Sequence, residues 1–222
     1  YIAIDAQLVA RKPATLTFEQ AAGVPLAALT SYQALFEHVK LTHGERVLIL
    51  GGSTATGIFA IQLAKSLGAY VLATASPRNL DFVKSLGADE VIDYTNATTK
   101  WVDAIEAHSV HVVYDCGTEP NAWNSGAQRV LKRSSSGRFV ALLAPTTTPI
   151  ESLFGAVSLG YFVVHPSGPQ LLAVAKLIDS GVITVRIDSV FSFDKLFNAI
   201  ARLQSRSAVG KIIVQVRPTS AD

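Results

Sequence analysis

The sequence predicts an α/β protein built on a doubly wound, parallel, six-stranded sheet with helices on both faces. Three observations predict it. Short apolar runs alternate with helical segments over most of the 222 residues, which implies parallel strands joined by right-handed crossovers. The runs are nearly continuous in apolar residues, as strands covered on both faces are. Six of them occur in succession, enough for a complete doubly wound sheet.

Arg46–Leu50 reads as the first buried strand, Gly51–Gly57 as a loop of small residues, and Ile58–Leu67 as a helix stopped by Gly68. Tyr70–Ala75 is the second strand, and Asn79–Leu86 a helix ended by Gly87. Glu90–Asp93 is a short third strand, Trp101–Ala107 is helical, and Val110–Asp115 is the fourth strand. Asn121–Lys132 is a helix with Asn121 as its cap. Arg138–Leu143 and Gly160–Val164 complete the six strands. The tail then reads as helix Gln170–Asp179, strand Val185–Phe191, a helix Phe193–Leu203 capped by Ser192, and strand Gly210–Val216. Tyr1–Arg11 is strand-like ahead of Pro13.

Composition narrows the function classes. Hydrophobic residues make up 49% and charged residues 16%, which excludes disordered, collagenous and coiled-coil chains. A net charge of +2 gives no electrostatic case for nucleic acid or an anionic membrane. No apolar run reaches the roughly 20 residues of a membrane span, and no targeting segment is visible. The single cysteine, Cys116, rules out an internal disulfide and fits a reducing compartment. The chain has no methionine and opens in mid-pattern, so an N-terminal part is expected to precede it. The histidines at 38, 43, 108, 111 and 165 lack metal-ligand spacing, and no metal site is expected. Ser134–Gly137 is a turn, and no Gly-x-Ser-x-Gly elbow is present.

The chemistry concentrates after the first strand, in Gly51-Gly52-Ser53-Thr54-Ala55-Thr56-Gly57. Small side chains let the backbone approach a pyrophosphate, and the N–H groups at a helix start point at the anion. Gly57 suits close helix–strand packing. The fingerprint is degenerate, because Thr54 stands where a glycine is usual. After the second strand comes Ser76-Pro77-Arg78, with no acid to take a ribose hydroxyl. A hydroxyl and a planar cation suit a 2′-phosphate, so NADPH is expected over NADH. Tyr94, after the third strand, is a candidate cover for adenosine. Gly117, after the fourth, could admit a ribose. Cys116 reads as a buried filler, not a nucleophile.

Several blocks together resemble the zinc-free, zeta-crystallin-like quinone oxidoreductases of the medium-chain dehydrogenase/reductase superfamily. They are Leu16–Ala22, Pro25–Leu35, Ala60–Ala69, Leu86–Tyr94 and the closing Gly210–Lys211. The resemblance implies a Rossmann-type domain over 13–182. It also implies that 1–12 ends, and 183–222 returns to, a chaperonin-10-like catalytic domain. It implies that Thr30 and Phe162 lie by the nicotinamide, and that Ser53, Thr54, Ala55 and Thr56 hold the pyrophosphate. Ser76, Arg78 and Tyr94 would hold the 2′-phosphate and adenosine end, and Ser207, Ala208 and Lys211 would meet the cofactor from the C-terminal loop. Thr54-Ala55 in place of paired glycines, and Val209 where some relatives carry arginine, depart from the pattern. No catalytic residue is named.

The expected activity is hydride transfer from NADPH to a quinone or enone, by an intracellular, cytoplasmic homodimer (mitochondrial being the alternative). Residues 1–222 alone are expected to bind cofactor with little turnover. The competing readings are a non-catalytic NADPH-sensing, oligomerisation or RNA/protein-binding module, and a methyltransferase. The Ser76/Arg78 pair argues against the last, which usually has an acid after the second strand.

Overall fold

The computed structural model describes residues 3–98 and 100–216. The described residues form two compact units, one within 30–164 and one joining those up to 29 to those from 165 onward. These divide the chain at other places than 12/13 and 182/183. In chain order the helices are α1 (Phe18–Ala22), α2 (Pro25–Tyr32), α3 (Ala55–Ser66), α4 (Leu80–Ser85), α5 (Gln128–Val130), α6 (Gly168–Asp179) and α7 (Leu196–Gln204).

The larger unit is a parallel sheet of β1 (Arg46–Leu50), β2 (Tyr70–Ala75), β3 (Glu90–Asp93), β4 (Val112–Asp115), β5 (Arg138–Ala141) and β6 (Val157–Tyr161). Their order is β3-β2-β1-β4-β5-β6. The order reverses between β1 and β4, so a crevice opens outside the carboxyl ends of these two strands. The central strands are buried almost throughout, whereas the edge strand β6 is exposed along its whole length. Leu48, Leu50, Leu72 and Val113 share one core with Trp123, Val130, Leu131 and Phe139. Each large aliphatic side chain there contributes about 1.5–3 kcal/mol by leaving water. Residues 57–64 of α3 are buried without a break, as in a helix enclosed on all sides.

Ion pairs hold the amino ends of the strands. Arg138 donates to Glu45 at 2.6 Å, and the Arg46 N–H donates to His111 Nδ1 at 3.1 Å. Burial pushes the His111 pKa down, which keeps that nitrogen free to accept. Asp89 accepts from Lys65 at 2.8 Å and from the Val71 N–H at 2.7 Å, tying α3 to β2.

Several boundaries differ from those expected. Helix α3 begins three residues early, because Thr54 caps it. The fourth strand starts at Val112, with Val110 making only a bridge to Leu131. The segment 121–132 is a π-helical turn, Trp123–Ala127, running into the short α5. The helical stretch after the third strand shortens to a 3₁₀ turn, Trp101–Ala104. The sixth strand is Val157–Tyr161, not Gly160–Val164. It pairs with β5, which ends at Ala141, and Ala141 faces Tyr161. The apolar run 161–164 pointed to a buried strand, and this one is an exposed edge.

In the smaller unit, β7 (Ile187–Ser192) and β8 (Lys211–Gln215) pair in parallel and are joined through α7. Tyr1 and Ile2 lie outside the described residues. The rest of the expected first strand is not a strand: Asp5 accepts from the Gln7 N–H at 2.9 Å and caps a 3₁₀ turn, Ala6–Leu8. No described helix is long and apolar enough to cross a membrane.

Asp188 organises this unit. Its carboxylate accepts from Arg202 Nε at 2.8 Å and Nη2 at 2.6 Å, and from the Val209 N–H at 2.9 Å. The Arg202 hydrogen bonds hold the Asp188 pKa far below the usual carboxylate range, against the opposing effect of burial. Asp188→Asn should lower stability at neutral pH by about 2 kcal/mol. That is less than for a fully buried pair, because the Arg202 side chain is 34% exposed. A depressed native pKa contributes in full above the unfolded value of about 4 and is lost as pH falls through the native value. Urea unfolding of both proteins should therefore show a gap that narrows on acidification.

Candidate cofactor-binding site

The carboxyl ends of the strands gather most of the expected site residues along one edge. At the end of β1 the chain turns through Gly51 and Gly52 and enters α3. The Gly51 N–H donates to the Thr74 hydroxyl at 2.9 Å, and the Gly52 N–H to the Thr74 carbonyl at 2.8 Å. The turn therefore lies against the end of β2. A Cβ at Gly57 would stand 2.2 Å from the Gly51 carbonyl oxygen, so only glycine allows this turn.

Thr54 explains its own departure from a glycine fingerprint. Its hydroxyl donates to the Gly51 carbonyl at 2.8 Å and accepts from the Gly57 N–H at 3.0 Å. The side chain closes the turn and caps the helix. Helix geometry leaves the N–H groups of Ala55 and Thr56, the first two helical residues, without an intrahelical acceptor. The Thr56 hydroxyl lies 3.3 Å from that of Thr54. The Ser31 hydroxyl donates to the Thr56 carbonyl at 2.7 Å, which ties α2 to the same turn. Thr30, next to Ser31, is buried in α2.

A second cluster follows β2. Ser76 leads into a 3₁₀ turn, Pro77–Asn79. Asn79 is buried and its amide nitrogen donates to Ser53 Oγ at 3.2 Å and to Ser76 Oγ at 3.3 Å. It bridges the two hydroxyls that the sequence singled out, and its place one turn after Ser76 was the signal that could have found it. Arg78 is exposed, and among the described residues its guanidinium has no hydrogen-bond or ion-pair partner in the protein. Tyr94 is half exposed and directly follows β3, its N–H donating to the Ala75 carbonyl at 3.3 Å. Ser53, Ser76, Arg78 and Tyr94 thus share one rim.

Beyond the crevice, Asp115 ends β4. Its Oδ1 accepts from the N–H groups of Thr118 at 2.9 Å and Glu119 at 3.0 Å. These bonds fix a turn in which Gly117 takes a φ of +83°. Burial raises the Asp115 pKa, and those backbone bonds only partly oppose it. Burial pushes the Cys116 thiol up to about 12, so it is not a nucleophile at neutral pH, in accord with its reading as a filler. Phe162 follows β6 and packs on the His38 ring with centroids 4.3 Å apart.

Ser207, Ala208 and Lys211 belong to the other unit. The Ser207 hydroxyl accepts from Arg202 at 2.6 Å. The Lys211 N–H donates to the Arg186 carbonyl at 3.1 Å, opening β8. Among the described residues no three His, Cys, Asp or Glu side chains converge as metal ligands do.

Comparison with known proteins adds to this geometry. A protein family described as zinc-binding dehydrogenases matches residues 86–214. The chain is 34% identical to 2-methylene-furan-3-one reductase of Solanum lycopersicum, over 98% of its own length and 52% of that protein. It is 31% identical to the human mitochondrial NAD(P)H oxidoreductase RTN4IP1, over 97% of its own length and 60% of that protein. The structure of the quinone oxidoreductase from Coxiella burnetii superposes with a TM-score of 0.78 at 27% identity, over 93% of this chain and 63% of that one. The chain therefore spans less than two thirds of these relatives.

The capping role of Thr54 is testable apart from any ligand. Thr54→Val should lower thermal or urea stability by about 1 kcal/mol, and Thr54→Ser by much less. Equal losses would show that the hydroxyl is not the cap.

Proposed function

The chain belongs to the family of zinc-binding dehydrogenases, and on that premise we propose that it is the NADPH-binding part of a reductase acting on quinones or conjugated carbonyls. The observation that carries this is the rim at the ends of β2 and β3. It offers the Ser76 hydroxyl and an exposed Arg78 without a protein partner, while the carboxylate at the end of β3, Asp93, is engaged by the Thr95 N–H and hydroxyl at 2.8 and 2.7 Å. That set suits a ribose 2′-phosphate: the guanidinium can bond phosphate oxygens in two places while the hydroxyl donates beside it.

The glycine turn fits the rest of the cofactor. The space that a Cβ at Gly57 would need is taken by backbone, and the turn presents the Ala55 and Thr56 N–H groups where a pyrophosphate would sit. Ser53, Thr54, Ala55, Thr56 and Gly57 form this cradle, in which Thr54 shapes the turn, its N–H and hydroxyl both donating to the Gly51 carbonyl. Tyr94 would cover the adenosine. Gly117 would admit a ribose, and Thr30 and Phe162 would border the nicotinamide. Ser207, Ala208 and Lys211 are kept as cofactor-contact candidates by family resemblance alone. When bound, the nicotinamide supplies the hydride, and the protein orients it and excludes water.

The relatives are longer than this chain, and their names support the substrate class: an NADPH-dependent alkenal/one oxidoreductase of Arabidopsis thaliana is 32% identical, with 52% of its length covered. Residues 1–12 and 183–222 would then belong with a catalytic domain, and 13–182 would be the Rossmann-type domain. We place the protein in the zinc-free branch and in the cytoplasm, and pair two copies through β6. Among the described residues that edge strand exposes Val157, Leu159 and Tyr161 with no charged side chain to block pairing.

Three measurements test these proposals. Arg78→Ala should weaken NADPH binding by about 1–3 kcal/mol and leave NADH nearly unchanged, while residues 1–222 reduce quinones poorly. Equal loss for both cofactors removes the 2′-phosphate assignment, and brisk turnover by this chain removes the need for a further domain. Leu159→Lys should convert a dimer to a monomer in sedimentation. An unchanged mass would move the interface away from β6.

A further inference from the structure

A cavity of about 350 Å³ lies at the β5–β6 side of the sheet, inside the larger unit and apart from the Ser76 and Arg78 rim. Trp123, Phe139 and Ala141 form its inner wall, all nearly fully buried, and Leu143 and Tyr161 stand half exposed at its mouth. Pro145 and Pro149 line the side made by the segment that connects β5 to β6. No charged side chain lines it.

The polar groups nearby hold this connecting segment in place. Asn121 Oδ1 accepts from the N–H groups of Thr146 and Thr147, both at 3.1 Å. Asn124 donates to the Thr148 carbonyl at 2.8 Å and accepts from the Ile150 N–H at 3.0 Å. Trp123 Nε1 donates to the Ile150 carbonyl at 2.8 Å, and Gln128 Oε1 accepts from the Leu153 N–H at 2.7 Å. The two prolines fix φ in the same segment. Residues 145–153 are thus a strap pinned at four side chains, which keeps it from collapsing onto Trp123 and Phe139.

A preformed, nearly wholly apolar cavity has no polar partners to hold water. A dry apolar cavity of about 150 Å³ takes up benzene, and cavities from about 300 Å³ are of the size that binds small ligands. We propose that this cavity is a binding site for an uncharged, planar, fused-ring molecule about the size of naphthalene. The ring would lie on the wall that Trp123 and Phe139 form together, their centroids 5.7 Å apart, with Tyr161 at the mouth. The site does not depend on the NADPH assignment, and its ligand would not displace the cofactor.

The test is titration with 2-bromonaphthalene. In Trp101→Phe, Trp123 is the only remaining tryptophan, and bromine in contact with the indole quenches its fluorescence. Saturable quenching is expected, unchanged by saturating NADPH. Ser158→Phe puts a ring into the mouth from an exposed position on β6 and should reduce affinity at least tenfold while leaving NADPH binding intact. Should Trp101→Phe not fold, the bromine's anomalous signal in soaked crystals of the unaltered chain reads the same position. Quenching that never saturates, quenching that Ser158→Phe does not weaken, or displacement by NADPH overturns the proposal. Quenching that appears only after β6 pairing is broken also overturns it, since a second copy would then fill the site.

Discussion

A Cβ at Gly57 would overlap the Gly51 carbonyl, and the approach of these two backbone atoms sets the geometry on which the candidate site depends. Helix α3 can come this close to the end of β1 only because residue 57 has no side chain. Thr54 then locks the turn from within: its hydroxyl joins the Gly51 carbonyl to the Gly57 N–H. Once the turn is fixed, the first N–H groups of α3 face outward from the sheet edge. Ser31 reinforces the arrangement from α2 through the Thr56 carbonyl. The buried run of α3, residues 57–64, makes this junction part of the core.

Much of this was legible in the sequence. The first three strands fall where their apolar runs placed them, because each pairs along its whole length with a buried neighbour. The glycine loop, the serine and arginine after β2, and the filler role of Cys116 follow from local residue chemistry. The function of Thr54 was harder to see. Counting glycines marks it as a defect in the fingerprint, whereas the capping preference of threonine explains it. Asn79 was missed for a similar reason: its role is to join Ser53 and Ser76, which lie on two different turns.

Most of what the sequence hid depends on non-local partners. The sixth strand was misplaced because hydrophobicity reports burial, and β6 is an exposed edge whose extent is set by the length of β5. Residues 121–132 have the composition of a helix. Asn121, Trp123, Asn124 and Gln128 instead bind a segment more than twenty residues away, and the helix gives way to a π-helical turn where they do so. The front of the chain alternates like a strand, but Asp5 captures the Gln7 N–H and turns it. In the last two cases a side-chain-to-backbone bond decided against the sequence pattern.

The sheet's carboxyl edge is chemically asymmetric, and the strand order is the cause. On the β2–β3 side the turns are short, and hydroxyls, an amide and a guanidinium crowd the rim around Ser53, Ser76, Asn79 and Arg78. On the β5–β6 side the connection is long, and its polar groups face inward to Asn121 and Asn124. Where that side borders the crevice, the side chain that follows β6 is Phe162, packed on the His38 ring. A doubly wound sheet separates these two sides at the β1–β4 reversal. An elongated ligand laid across that crevice meets a polar, cationic rim at one end and an aromatic, apolar one at the other. Its orientation would then be set by the difference in solvation between its ends, before any single contact with the protein is counted.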